Sequence, residues 1–360
     1  MSTEFDALMA RFRDRLEGEL NQFLAAQRQA SLERTPEADA LLEQLRGLVL
    51  SGGKRLRPAL VYFSYLACEG AEEARVLPVA MATELLHTYL LIHDDIMDHA
   101  DTRRGHPTSH VHFRDRYLRE GWPGGEDEAR EYGNSMAILA GDVAHTYADQ
   151  LFASVETDPE RRFKLQRIYY SMCREVIDGQ YLELHMGLGG DPSEDDLRRV
   201  LRLKSGLYSV ERPLQLGAIL AGAGPRRYEA LSHYGSAMGE AFQLQDDILG
   251  MFGDPNAVGK PVGGDLLEGK FTFLVHHTLR LASKADADRL RQGLGQRDLP
   301  QQDVEDLCAV IRSSGGLAAV EAMVERRSRE ARDVIQGLDL APAGKAFLLG
   351  LIGYLGARSH

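Results

Sequence analysis

Along almost its whole length the chain repeats its apolar residues at steps of three and four, the period of a helix that buries one face. Between Met81 and Met97, Leu85, Leu86, Tyr89, Leu90, Ile96 and Met97 follow that spacing. Similar patterns run over 5–27, 38–50, 135–155, 162–187, 194–220, 228–252, 271–283, 302–313, 316–337 and 342–356. Strand-like alternation is scarce. Breakers separate the segments at Ser51-Gly52-Gly53, Gly121 to Gly125, Gly187 to Pro192, Gly222 to Pro225 and Gly253 to Gly264. With no Pro/Ser-rich linker, the pattern predicts one all-α domain over 1–360 with about ten or more helices. The acidic, glycine-rich stretch Tyr117 to Tyr132 reads as a surface loop of no catalytic consequence, and Pro213 is expected to kink or interrupt the helical stretch around it.

Composition narrows the function. The formal charge of -12 argues against a protein built to grip nucleic-acid phosphate. The longest apolar runs, Tyr89 to Ile92 and the glycine-broken Ala346 to Ala357, fall short of the roughly 20 residues a membrane helix requires. The start lacks the basic and apolar regions of a signal peptide. Cys68, Cys173 and Cys308 lie too far apart for a disulfide framework or zinc cluster, which fits a reducing cytoplasm. His106, His110 and His112 have no matching Cys/His partner for zinc.

Two apolar helices each close on a carboxylate pair, Asp94-Asp95-Ile96-Met97 and Asp246-Asp247-Ile248-Leu249. Asp94 and Asp98 stand one turn apart on one face with Asp95 beside them, so like charges crowd a helix end whose dipole already disfavours them. A compensating positive group is expected. Hard divalent cations such as Mg²⁺ bind through one or two carboxylates plus the phosphates of a substrate. Just downstream, Arg103 and Arg104 could hold a diphosphate by forked hydrogen bonds. Upstream, Gly52-Gly53-Lys54-Arg55-Leu56-Arg57-Pro58 places three cations on a glycine-led turn into a helix. It is not a Walker loop, whose glycine spacing it lacks. The second pair is followed by Gly259-Lys260, Asp265 and Lys270, and Lys204-Ser205-Gly206 adds a further cation on a helix. A solvated acidic face and a basic loop in water are the plainer alternatives for these segments taken singly.

Taken in order, GGKRLRP (52–58), ELLHTYLLIHDDIMDHADTRRG (84–105), LAGD (139–142), GQ (179–180), KSG (204–206), FQLQDDILG (242–250), GDPNAVGK (253–260) and GGDLLEGK (263–270) resemble the trans-isoprenyl diphosphate synthases, the polyprenyl synthase family. The resemblance spans most of the chain. It implies an all-α, isoprenoid-synthase-type bundle around a deep central cavity, usually a homodimer, that condenses isopentenyl diphosphate 1'-4 with an allylic diphosphate: dimethylallyl, geranyl or farnesyl. It further implies that Asp94 and Asp98 bind Mg²⁺ on the allylic diphosphate with Asp95 in support, and that Asp246 binds another Mg²⁺ from the opposite wall with Asp247 in the same cluster. Three ions per active site are expected, with Mn²⁺ a possible substitute. Arg103, Lys204 and Lys260 are implied to hold the allylic diphosphate, and Gly53, Lys54, Arg57, His87 and Arg104 isopentenyl diphosphate. Ser205, Gln243 and Lys270 join the substrate-binding set.

One departure stands out: Gly250 occupies the place of the third aspartate in the fuller second motif, leaving Asp246, Asp247, water and Asp265 as candidates for that metal sphere. In the family, product length depends on side chains before the first motif. Here those are Tyr89, five residues before Asp94 and about 7.5 Å deeper, and Leu90, four before. That pattern resembles geranylgeranyl (C20) synthases, with farnesyl (C15) and longer C25 or C30 products as alternatives. A helical wheel puts Tyr89 about 140° from Asp94, so its role as the floor comes from the resemblance, beside the alternative of an ordinary core tyrosine. A class I terpene cyclase would share the metal chemistry but has no use for a second diphosphate pocket. A non-catalytic subunit of a heteromeric synthase commonly loses aspartates that are largely kept here.

Overall fold

The computed structural model describes residues 3–103, 105–253 and 262–357. Its elements follow the apolar period closely. In order they are α1 (Thr3–Leu32), α2 (Asp39–Leu50), α3 (Leu56–Ala67), α4 (Glu73–Met97), a hairpin of β1 (Thr102–Arg103) and β2 (His106–Pro107), α5 (Ser109–Arg119), α6 (Glu126–Ala153), α7 (Pro159–Met186), α8 (Glu194–Val200), a π-helix (Leu201–Glu211), α9 (Arg212–Ala221) and α10 (Pro225–Phe252). Beyond the second aspartate motif come α11 (Gly264–Leu267), α12 (Phe273–Leu281), α13 (Lys284–Gly293), α14 (Gln301–Ser313), α15 (Gly316–Gln336) and α16 (Pro342–Ala357).

Side-chain chemistry sets several boundaries. Asp158 accepts from Arg161 N–H at 3.0 Å ahead of Pro159, and Ser193 accepts from Asp196 N–H at 3.2 Å, each satisfying a donor that a helix start leaves open. The hairpin pairs Thr102 with Pro107 and Arg103 with His106, with Gly105 at φ +77°, where a side chain would be strained.

Two expectations change. Helix covers 117–119 and 126–132, leaving only 120–125 as a connection, and Trp122 packs edge-on against Tyr117 and Tyr132 at 5.3 and 5.2 Å. The polar composition that read as loop belongs to solvent-facing helix ends. Pro213 lies in the first turn of α9, where a missing N–H costs least, and the disturbance takes the form of the wider π-turns that precede it rather than a break.

The chain divides into two compact units. One comprises Ala7–Tyr62 and Ala71–Thr157. There α4 and α6 form the main helix pair. Buried Ala137, Ala140, Gly141 and Ala144 recur on one face of α6, letting helices close tightly. Gly141 is needed for that fit, because a Cβ there would lie 2.4 Å from the His93 ring. At 25 residues, about 37 Å, α4 is long and apolar enough to cross a bilayer. It packs instead as a core helix, with Val76, Val79, Leu85, Leu86 and Ile92 buried.

The other unit comprises Met1–Asp6, Phe63–Gly70 and Asp158–His360. Here α10 packs on α15 and on the π-helix. Tyr234, fully buried on α10, donates its hydroxyl to Leu348 O at 2.8 Å. Glu240 accepts from Arg327 Nε of α15 at 2.8 Å and from Arg198 Nη1 of α8 at 3.3 Å, so one carboxylate ties three helices together two turns before the second aspartate pair.

Candidate active site

In the first unit, His87, Asp94 and Asp98 fall at i, i+7 and i+11 along α4, a single helical face. Asp98 caps the helix, its N–H donating to Asp94 O at 2.8 Å. Asp95 is turned inward and buried, and Arg103 of the hairpin donates to it from Nε at 2.7 Å. The same guanidinium lies 3.8 Å from Asp94. Burial raises the affinity of Asp95 for a proton; Arg103 opposes that effect, and the charges of Asp94 and Asp98 reinforce it. The compensating cation that the crowded helix end requires is therefore Arg103.

Two turns earlier, Arg57 Nη1 lies 3.2 Å from His87 Nε2, which brings the basic turn onto the aspartate-bearing face of α4. Gly52 and Gly53 take φ of +88° and +139°, and Lys54 is exposed beside them. Arg104 lies outside the described residues. Tyr89 projects toward α6, stacking on His145 at 4.8 Å and meeting His93 edge-on at 4.7 Å; Leu90 is half-buried. His145 had no signal in the sequence, since only the packing of α6 brings it to Tyr89.

In the second unit, Gln243 donates its amide to Asp247 Oδ1 at 2.7 Å across one turn of α10. The resemblance points Gln243 at substrate, and the second N–H and the carbonyl oxygen of its amide are not used by this bond. Asp246 stands beside them, half-buried. Asp265, buried at the start of α11, approaches Gly250 so closely that a Cβ at 250 would lie 2.2 Å from Asp265 Oδ2. The side chain missing at position 250 is thus room taken by a carboxylate from 15 residues further along. Enclosure by protein, then the charges of Asp265 and Asp246, push Asp247 well above the usual carboxylate range, against the pull of Gln243 and Lys270. Lys270 Nζ sits 2.6 Å from Glu268 and 4.0 Å from Asp265.

Lys204 and Ser205 lie half-buried in the π-helix, and Lys204 forms an ion pair with Glu183 of α7. Gly179 makes this approach possible: a Cβ there would fall 2.2 Å from Lys204 N. Lys260 lies outside the described residues.

These donors fit a hard divalent cation. They are carboxylate oxygens, and at Asp247 enclosure and then the neighbouring carboxylates raise the proton affinity, an effect that a dication would oppose. Among the described residues no three His, Cys, Asp or Glu side chains form a ready-made metal cage.

Comparison with known proteins decides the family. Residues 38–311 match the polyprenyl synthetase family model. The chain belongs to the polyprenyl synthetase family. It is accordingly a prenyltransferase, and the family's divalent-metal chemistry agrees with the carboxylates described above. Among its relatives is a short chain isoprenyl diphosphate synthase of Methanocaldococcus jannaschii, 34% identical over 77% of each chain. Another is a geranylgeranyl diphosphate synthase of Methanosarcina mazei, 32% identical over 89% of this chain and 91% of that one. A crystal structure of a geranylgeranyl pyrophosphate synthase from Corynebacterium glutamicum, complexed with isoprenyl diphosphate and magnesium, superposes with a TM-score of 0.92 at 33% identity, covering 97% of this chain and 99% of the other.

Proposed function

We propose that this polyprenyl synthetase joins isopentenyl diphosphate head-to-tail, in trans, to dimethylallyl, geranyl and farnesyl diphosphates, and that its product is geranylgeranyl diphosphate, C20. The observation that carries the reading is Arg57 held 3.2 Å from His87, on the α4 face that also bears Asp94 and Asp98. It supports a second anion-binding element, useful to a condensing enzyme and of no use to a cyclase. The near-complete aspartate motifs speak against a non-catalytic subunit.

In this mechanism Asp94 and Asp98, and separately Asp246 and Asp247, hold Mg²⁺ on the allylic diphosphate, three ions in all with Mn²⁺ able to substitute. When bound, the ions neutralise the leaving diphosphate so that the allylic carbon can ionise. Arg103 and Lys204 add fixed positive charge to the same leaving group, the position of Lys260 in its motif assigns it to this work too, and that of Arg104 assigns it to isopentenyl diphosphate. Asp95 orients Arg103, and Gln243, bonded to Asp247, joins the substrate-binding set. Lys54 and Arg57 fix the diphosphate of isopentenyl diphosphate, with Gly53 allowing close approach of the backbone and His87 steadying Arg57. The alkene attacks the allylic cation, and the proton lost afterwards passes to the released diphosphate, so no strong protein base is required. Ser205 and Lys270 complete the polar lining. Tyr89, braced by His145, stops chain growth, with Leu90 beside it. The C20 reading draws support from this bracing and from relatives named for that product.

The chain works as a single polyprenyl synthase domain, as a homodimer and in the cytoplasm. Phe163, Tyr170, Ile177, Tyr181 and Leu184 are exposed at spacings of seven, seven, four and three along α7, a continuous apolar stripe that a second copy would cover. The test of the second anion site is Arg57→Ala. It should raise KM for isopentenyl diphosphate by about tenfold or more and that for the allylic partner by far less. The opposite ranking would reassign the two pockets.

A further inference from the structure

Three cations stand together in Lys54-Arg55-Leu56-Arg57, and their surroundings separate them. Lys54 is exposed and Arg57 half-buried, whereas Arg55 is only 3% exposed. Arg55 takes φ +51°, a left-handed conformation that residues with a Cβ rarely adopt, immediately after the turn formed by Gly52, Gly53 and Lys54. Its carbonyl accepts the opening bond of α3 from Ala59 N–H at 3.1 Å. The guanidinium then serves three acceptors. It bonds the Glu84 carboxylate, donates from Nη2 to Val49 O at 2.6 Å and donates from Nε to Glu17 Oε1 at 3.3 Å.

Glu84 is itself 4% exposed on α4, three residues before His87, the partner of Arg57. The basic turn is therefore pinned to α4 at two neighbouring points, by a buried ion pair within and by Arg57 with His87 nearer the surface. A buried charge without its partner is costly, so neither Arg55 nor Glu84 is tolerated alone. Backbone strain of the kind seen at Arg55 persists only where the surroundings over-determine it, and three acceptors on three separate segments do so here.

We propose that Arg55 is a positioning residue for the isopentenyl diphosphate pocket. Its pair with Glu84 sets the register of the basic turn on α4, and so holds Lys54 and Arg57 where they meet the diphosphate together. This rests on the reading that Lys54, Arg57 and His87 bind that substrate. Lysine cannot replace the arginine, because a point-like ammonium cannot serve Glu84, Val49 and Glu17 at once.

The experiment compares KM for isopentenyl diphosphate and for farnesyl diphosphate in wild type, Arg57→Ala, Arg55→Lys and the double variant Arg55→Met/Glu84→Met. The double variant removes both charges of the buried pair together, so neither is left buried without its partner. Arg55→Lys and the double variant should each raise KM for isopentenyl diphosphate by about tenfold, with KM for farnesyl diphosphate within about twofold of wild type. Equal rises in both constants would mean a general structural role and overturn the proposal. Unchanged constants in both variants, with Arg57→Ala raised as expected, would sink this inference alone. An unchanged Arg57→Ala would remove the pocket reading and this inference with it.

Discussion

At the end of α4, Asp95 is buried against the Arg103 guanidinium, whereas near the end of α10 the carboxylate of Asp247 is met by the amide of Gln243. Each cluster holds three carboxylates: Asp94, Asp95 and Asp98 in one, Asp246, Asp247 and Asp265 in the other. The first has a forked cation committed to it. In the second, Lys270 stands closer to Glu268 than to Asp265. The consequence shows in proton affinity. Both Asp95 and Asp247 are raised by burial; Arg103 opposes the rise at Asp95, and Gln243 and Lys270 oppose it at Asp247. Two motifs that look alike in sequence thus differ in what already partners their inner carboxylate, a guanidinium in one and an amide in the other.

The comparison can be broken in order of expected damage. Asp94→Ala should lower turnover by about a thousandfold or more with the helical circular dichroism unchanged, since it removes a carboxylate assigned to the metal while Arg103 still holds Asp95. Near-normal turnover would exclude Asp94 from the metal site. Gly250→Asp restores the third aspartate of the fuller motif, yet it should impair rather than improve the enzyme, by about a hundredfold, because its Cβ alone would meet Asp265 Oδ2 at 2.2 Å. Gly250→Asp combined with Asp265→Gly should recover most of that loss. Calorimetric titration with Mg²⁺ and inorganic diphosphate should show the same order of affinities. An active Gly250→Asp single variant would show that Asp265 does not occupy that place.

Much of this was legible in the sequence because helix burial has a period. The segments over 38–50, 228–252 and 316–337 correspond to helices whose ends agree to within a few residues. The misses have physical causes. The start of α4 carries Pro78, which masks a helix that tolerates it, and α5 and α13 are short and rich in charge, so few apolar residues mark them in the sequence. The π-helix is not marked by its apolar spacing, and the glycine that lets α7 approach it, Gly179 against Lys204, reveals itself only as a close contact.

In the candidate site, residue type located the aspartates and cations but not their partners. Lys54, Arg55 and Arg57 are equivalent as letters; only the fold turns Arg55 inward. The sequence offers Asp265 as a substitute for the aspartate missing at Gly250 but does not show that it fills that room, nor that Tyr89 meets His145, because each contact is made by chain folding back through a turn or a second helix. Motif order carries chemistry, while burial and direction must come from packing.

The most direct test of the central claim is a product assay. Purified protein, Mg²⁺ and labelled isopentenyl diphosphate are combined with each of the C5, C10 and C15 allylic diphosphates, for wild type and Tyr89→Ala, and chain length is read by chromatography. The wild type should elongate all three primers to C20, and Tyr89→Ala should shift the product beyond C20. A C15 or longer wild-type product would contradict the role given to Tyr89, and no condensation by folded, Mg²⁺-supplied protein would contradict the proposed reaction itself.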